Sequence, residues 1–226
     1  MSEISWILNK LKDTREAEIL MQVESCYEKI GEKQNAWYKK SNFTCPEGCG
    51  TCCHGFEPDV LEAEALYMAA WLIENQRDVA LKLCQGIFPF DNGKTCPFHN
   101  FENPYHCSVY KGRAFICRIF GASGSRAKDG SLVWRPCKFY PSEKLKEHNP
   151  TLEHRQYSQD EIEKIFGTLP PAMSDLMEQG VNISVENKRT ALLREVLPQA
   201  VRRLFWIIQL GNGGDNDNDN GNDNAA

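Results

Sequence analysis

Cys45-Pro46-Glu47-Gly48-Cys49-Gly50-Thr51-Cys52-Cys53 places four thiols within nine residues. Packing does not ask for this arrangement. Cysteine serves a core as a single small hydrophobe, and four neutral thiols gain nothing from being crowded onto one short turn. A soft cation changes the balance, because it lowers thiol pKa and holds several thiolates together. The Cys49-x2-Cys52 pair lets two sulfurs reach one ion, at about 2.3 Å each, and Gly50 between them permits a tight turn. Cys52 and Cys53 are adjacent, so their side chains are expected to diverge. They would then serve different irons of a cluster or two separate sites, or one would stand beside the metal. The stretch predicts a segment ordered by a ligand rather than by hydrophobic collapse.

Further thiols follow in Cys96-Pro97-Phe98-His99, Cys107-Ser108-Val109-Tyr110, Cys117-Arg118 and Cys137, so that eight of the ten cysteines lie between Cys45 and Cys137. Residues 87–141 are rich in Gly, Pro and aromatics. Their one regular signal is Ser131 to Trp134 after Asp129-Gly130, which reads as the return strand of a hairpin. An irregular stretch of this length makes sense when wrapped around an inorganic centre.

Helical periodicity brackets this region. Ile4, Leu8, Leu11, Leu20, Val23, Tyr27 and Ile30 predict a long amphipathic helix over residues 2–40, ended or bent at Gly31. Pro58 suits the first turn of a second helix running to Cys84, with Asp59 and Glu62 at its positive end. Ser158 and Glu161 form a capping box for a third, and a short helix follows to Gln179. Residues 185–209 predict a last helix, kinked at Pro198. Cys26 and Cys84 fall on apolar helix faces and are expected to pack, as are Trp134 and Trp206. The predicted fold is mainly α, with helices at both ends packed around a cysteine-rich irregular centre that holds a small β-hairpin. Its segments are residues 1–42, 43–141, 142–210 and a disordered Asn/Asp/Gly tail, 211–226.

Net charge is −5, of which Asp215, Asp217, Asp219 and Asp223 in the tail supply four, leaving a body near neutrality. A body without a clustered basic face argues against nucleic acid as a partner. With no signal-like N-terminus and no apolar run long enough for a membrane span, a cytoplasmic setting is expected. There the thiols stay reduced and favour metal over disulfides. No Gly-x-Ser-x-Gly or phosphate-loop motif competes.

The segments Phe43 to Cys53, Cys96-Pro97-Phe98-His99, Cys107 to Tyr110 and Arg113-Ala114-Phe115-Ile116-Cys117-Arg118 together resemble the bacterial CxxCxxCC cysteine-cluster family, zinc- or iron-chelating domains distantly similar to flagellin lysine N-methylases. The resemblance spans roughly residues 43–121. It implies that Cys45, Cys49, Cys52, Cys53, Cys96, Cys107 and Cys117 bind metal; Cys137 is added here from proximity and count. Two departures stand out. Three residues, rather than the family's two, separate Cys45 from Cys49, and Ala114 stands where the family carries proline after arginine. The methylases are thought to use an iron–sulfur cluster, but their substrate-binding parts are not recognisable in this chain.

The expected function is a metal-binding protein, with a 4Fe–4S cluster or zinc, in redox or metal handling. The alternatives are an iron–sulfur-dependent group-transfer enzyme acting on a protein substrate, in the manner of lysine methylation, and an interaction module stabilised by zinc. Thiolates without paired Cys-x2-Cys motifs fit a zinc ribbon poorly, which favours the cluster. Arg113 and Arg118, with Arg126, would offset the negative charge of a thiolate-rich centre or hold a substrate carboxylate. Tyr110 and Phe120 would exclude water from it. His54, His99 and His106 flank the cysteines as ligands, proton relays or polar neighbours, whereas His148 and His154 read as solvated.

Overall fold

The computed structural model describes residues 2–45, 50–91, 93, 95–100, 102–103, 106–121, 123–183 and 189–213, with side chains as far as Gly211. Cys49 and residues 214–226 of the tail lie outside them.

The first helix predicted from the sequence is two, α1 (Ser5–Lys10) and α2 (Arg15–Ser41). The break comes at Asp13, which adopts a left-handed φ of 65°. Thr14 then turns extended and its Oγ1 accepts from the Ala17 N–H at 3.2 Å, satisfying an orphan donor at the start of α2. Gly31 neither ends nor interrupts α2. An interior glycine costs about 1 kcal/mol, and burial of Leu20, Val23, Tyr27 and Ile30 before it and Trp37 after it outweighs that.

The second helix is also revised. Residues after Pro58 stay extended as β1 (Asp59–Leu61), and helix begins only at α3 (Glu62–Asn75). Gln76 breaks the helix (φ −143°, ψ 56°) before α4 (Arg77–Leu83), and its side-chain amide donates to the Ser108 carbonyl at 2.7 Å. There follow α5 (Phe115–Ile119), β2 (Ser125–Arg126) and β3 (Leu132–Val133), the last being the predicted return strand, paired antiparallel with β2. Next come α6 (Ser142–Glu147) and α7 (Gln159–Phe166), which Ser158 and Glu161 cap reciprocally as read from the sequence. The chain closes with α8 (Met173–Val181), β4 (Thr190–Leu192) and α9 (Leu193–Gly213). The last helix therefore starts later than predicted, because residues 190–192 pair antiparallel with β1. Pro198 lies inside α9.

The fold is mainly α. Every residue of α3 from Ala63 to Ile73 is buried, and the helix packs against α1, α2 and α9. A helix apolar nearly all round belongs at the centre of a domain. A second, aromatic core joins Trp37, Phe43, Trp134, Tyr157 and Phe166, with edge-to-face ring contacts. Helix α2 runs through both cores, Leu20 to Ile30 in the first and Trp37 in the second. Trp206, expected inside, is 62% exposed on α9. Among the described residues no helix is long and apolar enough to cross a membrane.

Candidate metal centre

Five cysteines from four stretches of chain line one cavity of about 50 Å³: Cys52, Cys53, Cys96, Cys107 and Cys117. Each is placed by local backbone. Residues Thr51–Cys53 form a single 3₁₀ turn, closed by the Cys53 N–H donating to the Gly50 carbonyl at 2.9 Å. The tandem pair was expected to diverge, and the turn places both Cys52 and Cys53 in the wall of the same cavity. The Cys96 N–H donates to the Phe56 carbonyl at 2.9 Å, which ties the second stretch to the first. Cys107 is held beside it by a backbone bridge to His99. Cys117 projects from α5, whose Phe115 and Ile119 are fully buried in the main core. Gly50 is required where it stands, because a Cβ there would meet His106 at 2.1 Å.

Two of the thiols are equipped alike. At Cys96 the Phe98 backbone amide, and at Cys107 the Val109 backbone amide, each two residues past its cysteine, favours the thiolate. Burial opposes this. It is the main reason why Cys96 is pushed up to about 12 and why Cys107 and Cys117 are also raised. For Cys52 the bond from Cys53 is the larger cause and burial the second. Cys52, Cys96, Cys107 and Cys117 are thus held toward the neutral thiol.

Positive charge is at hand. Arg113 lines the cavity, with its guanidinium 3.8 Å over the Tyr110 ring. Its buried Nε has no hydrogen-bond partner among the described residues. Arg118 faces away and braces the loop. Its Nε donates to the Arg113 carbonyl at 2.9 Å, Nη2 donates to the Lys111 carbonyl, and the group sits 3.7 Å over the Tyr27 ring of α2. Tyr110 and Phe120 both line the cavity. Arg126 does not contribute, because Asp175 holds it at 2.6 Å.

The remaining predicted ligands part company. Cys45 is exposed and does not line this cavity. Its charge instead helps to raise Tyr38, which burial, the larger cause, and then Cys45 push up to about 12. Cys137 lines a second, larger cavity, which it shares with Cys52. Cys49 lies outside the described residues. Cys26 is buried in the main core and Cys84 packs against it, as expected of structural thiols. His148, read as solvated, is half-buried with its ring 5.3 Å from Phe166.

Other residues gain roles that the sequence did not announce. His99 lies between His54 and His106, with ring centroids 6.3 and 5.9 Å away, and burial and then these neighbours hold it below the usual imidazole range. Their places beside cluster cysteines already group the three in the sequence. Glu64 is 2% exposed and accepts the Leu61 N–H at 2.8 Å and the Phe115 N–H at 2.5 Å. It thereby joins α3 to the helix that carries Cys117. Arg194, in the first turn of α9, pairs with Glu57 at 2.5 Å and Asp91 at 2.8 Å, and donates to the Thr95 carbonyl at 3.0 Å. It anchors the loop just before Cys96.

Among the described residues, no three Cys, His, Asp or Glu side chains already stand close enough to hold a single ion. What the fold presents is a set of soft donors around a small space, with a cation in the wall. A helical scaffold that gathers thiols in this way defines a cysteine-cluster protein. Residues 44–156 match the family CxxCxxCC, described as "Putative zinc- or iron-chelating domain", and the chain belongs to that family. No curated protein and no solved structure matches it.

Proposed function

We propose that the chain is an iron–sulfur protein of redox or metal handling, whose cluster is held by four of Cys52, Cys53, Cys96, Cys107 and Cys117. The observation that carries this reading is the convergence of those five cysteines on one cavity. Four thiolates complete the protein ligation of a 4Fe–4S cluster, and amide hydrogen bonds to sulfur, burial and nearby charge set its potential. When bound, the cluster supplies one-electron chemistry. Arg113 offsets its negative charge, and Tyr110 and Phe120 keep water from it. Thiolates without paired Cys-x2-Cys motifs fit a zinc ribbon poorly, which favours the cluster.

Zinc is the second reading, because four thiolates also close a tetrahedral site and the family description names either metal. Anaerobic purification separates the two. Visible absorbance with iron and acid-labile sulfide is expected, and it should vanish in Cys96→Ser, Cys107→Ser and Cys117→Ser variants while persisting in Cys137→Ser. Stoichiometric zinc in a colourless protein would replace the cluster with the zinc reading. A protein that carries neither metal would overturn both.

A further inference from the structure

Next to the cysteine cavity lies a second one of about 570 Å³, within the roughly 300–1,000 Å³ of small-molecule sites. Cys52, Phe56 and Phe120 belong to the walls of both. The two phenyl rings meet edge to face at 5.7 Å and form part of the partition. The far wall comes from the β2–β3 hairpin and the strand-like stretch after it, pinned where Trp134 and Tyr157 exchange backbone hydrogen bonds at 3.1 and 2.7 Å.

The chemistry of this wall is one-sided. Arg135 and Lys138 line it, and among the described residues no Asp or Glu does. Among the described residues neither cation is committed to an ion pair. Arg135 donates to the neutral Gln156 side chain at 3.2 Å, and Lys138 stands 4.7 Å over the Phe139 ring. Phe120, Val133, Phe139 and Met173 supply apolar wall, and His54, Ser125 and Gln156 line it as well. Cys137, grouped with the metal ligands by its place in the sequence, faces this space instead.

We propose that this cavity binds a small organic anion with an apolar body, its charge met by Arg135 and Lys138 and its body lying toward Phe120 and Cys52. That the bound anion lies against a metal centre rests on the function proposed above; that the cavity takes an anion does not.

Anilinonaphthalenesulfonate and its uncharged parent phenylnaphthylamine separate charge from apolar contact. Fluorescence titration of the purified full-length protein should show one sulfonate site, displaced by benzoate. In Arg135→Gln/Lys138→Gln, sulfonate affinity should fall about tenfold, equivalent to 1.4 kcal/mol, while the parent binds unchanged. Ser125→Trp, an exposed rim position, should exclude both dyes. Equal losses for the two dyes in the double variant, or no loss in either variant, would overturn the proposal. Iron, sulfide and zinc are assayed on the same samples. Metal-free protein that still selects the sulfonate through Arg135 and Lys138 sinks the metal-centre reading and supports this one. Metal-loaded protein without charge selection does the reverse.

Discussion

Helix α3 and the cysteine loops lie side by side, yet they are ordered by different forces. In α3 the eleven residues Ala63 to Ile73 are buried, ten of them without charge. Their backbone groups satisfy one another within the helix, so apolar burial, at about 25 cal/mol per Å², is free to drive the packing. The stretches around Cys52, Cys96 and Cys107 have no such ladder. Their cysteines are only partly covered, and their order rests on scattered bonds such as Asn100 N–H to the His106 carbonyl at 2.8 Å. A region of that kind would gain from a further source of free energy, and on the function proposed above a cation among thiols raised by burial would supply it. The contrast teaches that one chain can contain a self-sufficient scaffold and a ligand-dependent insert.

The strongest way to break that comparison is to take the metal away. Structural thiolate sites contribute on the order of 10 kcal/mol of apparent binding free energy. Chelation should therefore abolish hydrogen-exchange protection at residues 51–53 and 96–117 while α3 and α9 keep theirs. Equal protection with and without metal would make the insert as self-sufficient as the scaffold. The opposite test strikes the scaffold. Leu72 and Leu204 are both 0% exposed in the main core, and either Leu→Ala change should cost about 2–5 kcal/mol. Measured by denaturant titration, that loss should be the same in metal-loaded and metal-free protein. A loss present only in the loaded form would show that the core depends on the centre.

The same division explains how much could be read beforehand. Periodicity found the helices because their apolar faces are local, and the Ser158 box was legible because capping is chemistry within four residues. What escaped were features decided by contacts distant in sequence. Residues 59–61 became a strand only because residues 190–192 lie beside them, and that partner is invisible in the local pattern. The thiols were legible as metal donors by type. Their sorting into five at one cavity, Cys137 at another and Cys45 outside depended on how α5 and the hairpin dock. Crowding in sequence is therefore a weaker guide to shared ligation than a common supporting element.

Glu64 probes the seam between the two regions. Burial raises its carboxyl from the ordinary 4.5 to about 7, against the lowering effect of the Leu61 and Phe115 amides and then Arg118. The folded protein therefore binds this proton more tightly than the unfolded chain. Its contribution to stability is fully present below pH 4.5 and is lost as pH rises through about 7, by roughly 3 kcal/mol. Glu64→Gln should flatten that part of the profile when the metal-free protein is unfolded by denaturant at a series of pH values. A wild-type profile that rises through the same window would contradict the burial of a protonated carboxyl at the seam.

The smallest expected effect lies wholly within the scaffold. Thr14 Oγ1 accepts from the Ala17 N–H and donates to the Leu11 carbonyl at 2.6 Å, so one hydroxyl closes the end of α1 and opens α2. Thr14→Ala removes both bonds at a part-buried position and should cost about 1 kcal/mol. The start of α2 lies far along the helix from Gln34, whose side chain reaches the Arg118 carbonyl at 2.7 Å. The loss should therefore appear in the unfolding midpoint and in faster exchange at residues 15–18, with metal content and exchange around Cys117 unchanged. If instead the metal leaves more readily, α2 transmits its end state along more than five turns to the loop it braces, and scaffold and insert fold as one cooperative unit.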